Sequence, residues 1–177
     1  MHAEDYFSDR AIEDADVLNT GQRLLADDFW ERNSKDMRSW KDGARTWYSV
    51  RGPAVREWRV NEFVHEQSAT GIEGIVRKIE DDAATIELLR DFRHEKNSVW
   101  GITARNREQN FALNLLMDPE IDFVSILGPA GTGKTLLTLA AGLMQTLETN
   151  RFAEIIMTRV TIPLSEDIGF LPGTEEE

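Results

Sequence analysis

The chain has 177 residues, enough for one domain or two small ones, and 41% of them are hydrophobic, which suffices for a core. Its net charge of −12 argues against binding nucleic acid by electrostatics alone, and the absence of cysteine excludes disulfides and thiolate metal sites. No apolar run approaches the roughly 18 residues of a membrane span, and residues 1–9 lack the features of a signal peptide, so we expect a cytoplasmic protein.

Residues 1–42 are predicted to form an acidic helical connector. One helix is expected over residues 8–18. Asp27 or Asp28 can cap a second helix, which would carry the large apolar side chains of Phe29, Trp30, Met37 and Trp40. We expect these side chains to pack onto the segment that follows. Docking against a further domain is the alternative.

Residues 43–98 change to a period-two pattern rich in β-branched and aromatic residues, which predicts a small antiparallel β module. Its strands are expected over residues 46–50, 58–64, 72–79 and 84–89.

Basic and aromatic side chains alternate in this module. They could form a stacking surface for single-stranded nucleic acid, or they could be divided between an apolar inner face and a charged outer face. The residues concerned are Arg45, Arg51, Arg56, Arg59, Arg77 and Lys78, with Trp47, Tyr48 and Trp58.

Residues 99–177 form the third predicted segment, which opens with a helix over residues 105–117 that Asp118 and Pro119 end. Gln109 lies on this helix. A glutamine amide presents a donor and an acceptor, so Gln109 is a candidate for recognising the edge of adenine. The alternative is an ordinary surface position.

An apolar run at residues 121–127 predicts a buried parallel strand, and residues 136–147 predict a helix rich in Leu and Ala. Between them lies a stretch that fits the phosphate-loop pattern G-x-x-x-x-G-K-[ST]. Its residues are Gly128, Pro129, Ala130, Gly131, Thr132, Gly133, Lys134 and Thr135.

The residue types of this stretch suit a nucleoside triphosphate. Glycines at positions 128, 131 and 133 allow left-handed backbone conformations that turn N–H groups onto phosphate. Lys134 can reach the β and γ phosphates, and the Thr135 hydroxyl can ligate Mg²⁺. The alternative is a glycine-rich turn that merely joins strand to helix.

Residues 153–157 predict a second parallel strand, which would complete one βαβ unit of an incomplete P-loop NTPase sheet. The overall class is therefore α/β, with the antiparallel β module and N-terminal helices preceding that sheet. Arg159 would follow the strand, where such sheets gather ligand contacts, although a strand-end arginine can also face water. Residues 169–173 read Gly-Phe-Leu-Pro-Gly and predict a turn.

Residues 105–109, the phosphate loop, residues 156–159 and residues 169–173, in this order, resemble the PhoH-like ATPases, which are akin to the helicases of superfamily one. The resemblance covers residues 99–177. Residues 1–98 are similar to the connector found where a PIN nuclease domain is fused ahead of PhoH.

The resemblance implies an ATP-dependent RNA helicase coupled to an RNase, with ATP and Mg²⁺ as cofactors. Single-stranded RNA is the expected partner, and the complete protein is expected to be a homo-oligomer. Lys134 and Thr135 would be catalytic, Thr135 would hold the metal, Gln109 would contact adenine, and Arg159 would lie near phosphate or nucleic acid.

Two parts of the family pattern are missing from this sequence. No apolar run ending in Asp or Asp-Glu follows the loop, and no region long enough for a nuclease precedes it. We therefore expect a central fragment with little catalysis of its own. Two other classes compete with the ATPase: a non-enzymatic nucleotide- or RNA-binding module, and a small phosphotransferase such as a nucleotide kinase.

Overall fold

A mixed sheet is the main feature of the computed structural model, which describes residues 20–68 and 71–158. Within these ranges the sheet has six strands in the spatial order β1-β4-β5-β6-β3-β2. β1 and β4 are parallel, and the other neighbours are antiparallel. The strands are β1 Gln22–Leu25, β2 Arg38–Asp42, β3 Arg45–Arg51, β4 Phe63–Glu66, β5 Glu73–Glu80 and β6 Ala83–Leu88.

Tight turns explain two of the antiparallel pairs. Asp42 pairs with Arg45 across a two-residue turn in which Gly43 has a φ of 57°. Glu80 pairs with Ala83 across a second such turn. The predicted strands at residues 46–50, 72–79 and 84–89 are confirmed as β3, β5 and β6.

Residues 20–42 differ from the predicted helical connector. Only Phe29–Asn33 is helical there (α1), and strands β1 and β2 lie on either side of it. Trp40, expected on the helix, lies in β2 opposite Trp47. Pairing with a neighbouring strand overrides local helix propensity here, because the sheet satisfies backbone groups that a short helix would leave unpaired. The helix predicted at residues 8–18 lies outside the described residues.

The strand predicted over residues 58–64 is shifted. A 3-10 helix, Pro53–Glu57, precedes it, and β4 begins only at Phe63. Trp58 ends the 3-10 helix and packs into the core.

Two longer helices follow the sheet. α2 is Arg107–Leu116, as predicted, and α3 is Lys134–Leu143, continued by a π-helical turn at Met144–Glu148. A second 3-10 helix, Glu95–Asn97, lies before α2. None of the helices in the described part of the chain has the length and apolar character needed to cross a membrane.

The central strands of the sheet are buried on both faces, and their adjacent residues point to opposite sides. Val64 and Val76 pack on the face covered by α1 and the first 3-10 helix. Their neighbours Phe63 and Ile75 pack on the other face against Phe111 of α2. A third cluster joins α2 to α3, so α2 lies between the sheet and α3. Its members are Phe92, Val99, Ala104, Leu113, Leu137, Ala140 and Ala141.

The two predicted parallel strands are not formed. Residues 121–127 and 153–157 have no strand pairing among the described residues, and Phe123 and Ile156 are 85% and 81% exposed. A strand exists only through hydrogen bonds to a neighbour, and neither segment finds one there. Ile155 nevertheless lies against Gly142, so the second segment contacts α3 at that point. The fold is α/β with a mixed sheet, and the predicted βαβ unit is not seen.

Candidate functional site

The backbone of the glycine-rich loop takes conformations that favour glycine. Gly128, Gly131 and Gly133 have φ values of 155°, 80° and 85°. A side chain at any of these positions would strain the backbone. Gly133 is also the residue from which α3 begins, so the loop leads directly into a helix amino terminus.

The Lys134 ammonium lies across this loop. Its Nζ donates to the carbonyl oxygens of Gly128 at 2.8 Å and Pro129 at 2.6 Å, and to the Thr132 hydroxyl at 3.3 Å. The Thr132 hydroxyl in turn donates to the Pro129 carbonyl at 3.0 Å. These bonds use all three ammonium donors, so the loop itself fixes where the positive charge stands.

Thr135 occupies the first turn of α3 and is exposed. No hydrogen bond engages its hydroxyl among the described residues. The first turn of α3 carries no acidic residue, so the partial positive charge of the helix amino terminus is not neutralised locally. The loop, Lys134 and the helix end together favour an anion. No cluster of three or more His, Asp or Glu side chains suited to a metal occurs within residues 20–68 and 71–158.

The structure brings Gln109 to the loop. Its Oε1 accepts a hydrogen bond from the Arg105 N–H at 2.8 Å, and its Nε2 donates to the Thr132 carbonyl at 3.2 Å. The sequence singled out Gln109 for adenine, a role that stays a prediction. It gave no sign of the contact with Thr132. The side chain of Asn106, which the sequence did not single out, caps α2 by accepting from the Gln109 N–H at 2.9 Å.

The amino terminus of α2 is anchored in the sheet through a buried carboxylate. Glu73 of β5 accepts from Arg107 at 2.9 Å and from Arg93 at 3.2 and 3.0 Å. Arg107 also contacts His65 Nδ1 at 3.1 Å. The same His65 nitrogen lies 3.1 Å from the Glu66 carbonyl oxygen. Glu73 and its arginine partners lie far apart in the chain, so no local pattern in the sequence reveals that they pair.

Asp91 holds Arg93 in place beside Glu73. Burial raises the pKa of the Asp91 carboxyl, but hydrogen bonds and the charge from Arg93 outweigh burial and hold that pKa below its ordinary value. The Asp91 Oδ1 accepts from the Arg93 backbone N–H at 3.0 Å and from its Nε at 2.7 Å. Arg93 is therefore positioned from both sides, by Asp91 and by Glu73.

The predicted aromatic and basic surface is divided between the two sides of the sheet. Tyr48 and Trp58 pack on the core face. Trp47 instead stacks on Trp40, with ring centroids 6.3 Å apart and planes 9° apart. Arg45 and Arg77 both pair with Glu87, at 3.4 and 2.8 Å.

A cleft of about 560 Å³ opens beside these arginines, between the sheet and the end of α2, and the glycine-rich loop takes no part in it. Arg45, Arg77 and Glu87 contribute to its lining, together with Asn114 of α2 and Asp118 just beyond the end of that helix. Arg159 and residues 169–173, which the sequence also singled out, lie outside the described residues.

Comparison with known proteins relates the chain to one family. Residues 101–177 match the family model described as PhoH-like protein. The PhoH2 protein of Bacillus subtilis is 31% identical over 181 residues, which cover 99% of this chain. The PhoH2 proteins of Thermobispora bispora and Mycolicibacterium smegmatis are 49% and 38% identical over 52% and 54% of this chain. No solved structure matches the chain significantly.

The chain spans only part of the length of these relatives. It covers 37% of the Bacillus subtilis protein and 21% of each of the other two.

Proposed function

Through residues 101–177 the chain belongs to the PhoH-like family, and on that premise we propose that it binds the triphosphate of ATP, with Mg²⁺, at residues 128–135. The loop backbone and the amino terminus of α3 would receive the phosphates. Lys134 would neutralise the β and γ phosphates, and the Thr135 hydroxyl would be a ligand of the metal.

The placement of Lys134 carries this proposal. Three loop oxygens hold the ammonium across the loop, so the cation stands where an anion entering the loop would meet it. A glycine-rich turn that only joins two elements has no need of this arrangement. When phosphate arrives, the ammonium exchanges neutral carbonyl acceptors for anionic phosphate oxygens, which attract the positive charge more strongly.

Titration calorimetry with ATP and Mg²⁺ tests the proposal. We expect Lys134→Ala to weaken binding by about 2–3 kcal/mol, the upper part of the range for hydrogen bonds to charged groups. Lys41→Ala is the matched control, because Lys41 is an exposed lysine on the outermost strand β2. Absence of binding by the unaltered chain, or equal affinity in the Lys134→Ala variant, contradicts the proposal.

ATP hydrolysis is proposed for the complete protein. Phosphoryl transfer relies on positioning and charge neutralisation, and Lys134 and Thr135 supply part of both. We expect this chain alone to turn over ATP more slowly than about 1 s⁻¹, the low end for typical enzymes. Turnover by the complete protein, measured with and without RNA, separates an RNA-dependent ATPase from a module in which ATP only orders the fold. Only the ATPase predicts stimulation by RNA.

Single-stranded RNA is the second part of the proposed function, and the stacked pair Trp40 and Trp47 is the observation that favours it. The pair lies on the edge strand β2 and its neighbour β3, and Trp40 is 43% exposed. Arg45 lies two residues from Trp47 on the same strand, and therefore on the same face of the sheet. An exposed indole beside a guanidinium suits a base and its phosphate.

Fluorescence anisotropy with a labelled single-stranded RNA tests this surface. We expect Trp40→Ala to weaken binding by about 1–3 kcal/mol, the value of one stacked base. Trp100→Ala is the matched control, because Trp100 is 38% exposed and lies outside the sheet. Equal losses in the two variants, or no loss in either, would count against the surface.

A further inference from the structure

Gln109 uses both ends of its amide within the protein. The carbonyl oxygen accepts from the Arg105 N–H at 2.8 Å, and the amide nitrogen donates to the Thr132 carbonyl at 3.2 Å. The donor and acceptor roles fix the orientation of the amide, since each partner can serve in only one of them. A side chain held in this way spans from α2 to the glycine-rich loop.

The first turn of α2, which carries Gln109, is itself held in place. Asn106 caps the Gln109 N–H at 2.9 Å, and Arg107 is bound to Glu73 of the sheet at 2.9 Å. A contact made from an anchored helix restrains its partner more than one made from a mobile segment. Glu73 of β5 therefore restrains the first turn of α2, and Gln109 on that turn restrains the Thr132 peptide.

The loop approaches Gln109 closely at Gly133. A Cβ atom at this glycine would lie 3.2 Å from the Gln109 Nε2, tighter than ordinary van der Waals contact. Gly133 thus serves two purposes, its φ of 85° and the space for the Gln109 amide. The peptide joining Thr132 to Gly133 lies directly against the Gln109 side chain.

We propose, on the premise that the loop binds a triphosphate, that Gln109 is a positioning residue for the phosphate loop. In a trans peptide the carbonyl and the N–H point in opposite directions. By holding the Thr132 carbonyl, Gln109 directs the Gly133 N–H away from α2 and fixes one of the donors that a phosphate would meet. Gln109 then contributes to the affinity for any triphosphate, whichever base the ligand carries.

Recognition of adenine makes the opposite prediction. An amide that reads the base contributes to ATP but not to GTP or to inorganic triphosphate. The bonds to Arg105 and Thr132 use one lone pair and one N–H of the amide and leave one of each, so the number of hydrogen bonds does not separate the two roles. The two roles are therefore distinguished by changing the ligand.

The experiment measures the affinities of ATP, GTP and inorganic triphosphate, each with Mg²⁺, for the unaltered chain, Gln109→Ala and Gln109→Glu. We expect Gln109→Ala to bind all three ligands about fivefold more weakly, the equivalent of one ordinary hydrogen bond, and Gln109→Glu to lose more, because its carboxylate also repels the phosphates. Gln109→Glu keeps the acceptor for Arg105 and the shape of the side chain, but it cannot donate to Thr132. Glu108→Ala, an exposed neighbour on α2, is the control and should bind all three as the unaltered chain does.

A loss confined to ATP, or no loss in either variant, overturns the inference while the proposed function stands. Absence of binding by the unaltered chain removes the premise and overturns both. Circular dichroism checks that each variant is folded, and if Gln109→Ala is not, Gln109→Met, which keeps the length of the side chain without its amide or a charge, decides the question.

Discussion

In the proposed function, the Thr135 hydroxyl would be the ligand that this chain offers to a magnesium ion. We predict that Thr135→Val lowers the affinity for ATP about tenfold when Mg²⁺ is present, because the variant keeps the shape but loses the oxygen ligand. In excess chelator the variant and the unaltered chain should bind ATP equally. Titration calorimetry under both conditions measures the difference.

Thr138→Val provides the control for this prediction, since the Thr138 hydroxyl lies one turn further along α3 and donates to the Lys134 carbonyl at 2.9 Å. It should not alter the dependence on magnesium. A Thr135→Val variant that responds to magnesium as the unaltered chain does would show that this hydroxyl is not a ligand.

Glu66 is a buried carboxyl that the fold disfavours in its charged form. Burial raises its pKa above the ordinary value of 4.5, and the charges of Asp27, Asp28 and Glu31 add to the effect, although a hydrogen bond from the Trp30 backbone opposes it. The contribution of Glu66 to stability is therefore greatest at low pH and declines as pH rises through its folded-state pKa.

We predict that Glu66→Gln raises the free energy of unfolding at pH 7, because it removes the disfavoured charge while an amide oxygen can still accept from Trp30. The gain should disappear below pH 4.5, where the glutamate is protonated in both states. Urea denaturation across this pH range measures the effect. A gain that is independent of pH would assign it to packing and not to charge.

Single residues of the candidate site were predictable to different degrees. The sequence singles out Lys134 and the loop glycines because the phosphate-loop pattern is contiguous, and their binding of phosphate stays a prediction. The contact of Gln109 with Thr132 could not be predicted, because it depends on how α2 packs against the loop. The same holds for Glu73 and Arg107, whose pairing has no trace in local sequence.

At the scale of elements, strands with a clear period-two pattern were predictable, and the two strands at the edges of the sheet, β1 and β2, were not. β3, β5 and β6 carry period-two patterns and meet through tight turns or direct antiparallel pairing. β1 is only four residues long and pairs in parallel with β4, far along the chain. The apolar runs at 121–127 and 153–157 look like buried strands, yet an apolar run does not specify a partner.

The attachment of α2 to the sheet leads to a prediction about stability. We expect Glu73→Gln to lower the free energy of unfolding by about 2–4 kcal/mol, because it removes the charge that pairs with Arg93 and Arg107 in a buried setting. This expected loss is set lower than the roughly 3–5 kcal/mol for breaking a fully buried pair, since the Arg93 side chain is 35% exposed. Urea denaturation measures this loss.

Glu57→Gln is the control for that prediction. Glu57 pairs with Arg23, but its side chain is 79% exposed, so the same substitution should change stability by less than about 0.5 kcal/mol. Similar losses in both variants would show that burial of Glu73 contributes nothing special.

Across the whole molecule, α2 is the element that joins the sheet to the candidate site. Arg107 and Glu73 tie its beginning to β5, and Asp118, just beyond its end, pairs with Arg77 of the same strand. Between these ties, Phe111 stacks on Phe63 with ring centroids 4.3 Å apart. On its other side α2 shares a core with α3, whose first residue is Lys134. The position of the loop therefore depends on how α2 sits on the sheet.

This arrangement predicts how the molecule responds when α2 is loosened. Phe111→Ala should lower the free energy of unfolding by about 3–5 kcal/mol through loss of the stacked ring. Hydrogen exchange should then accelerate in α2 and α3 more than in β5 and β6, because those strands retain the separate core on the other face of the sheet. Val76→Ala, on that other face, should accelerate exchange in the strands at least as much as in the helices. Uniform acceleration in both variants would mean that the sheet and the two helices open as one unit, with α2 holding no special position between them.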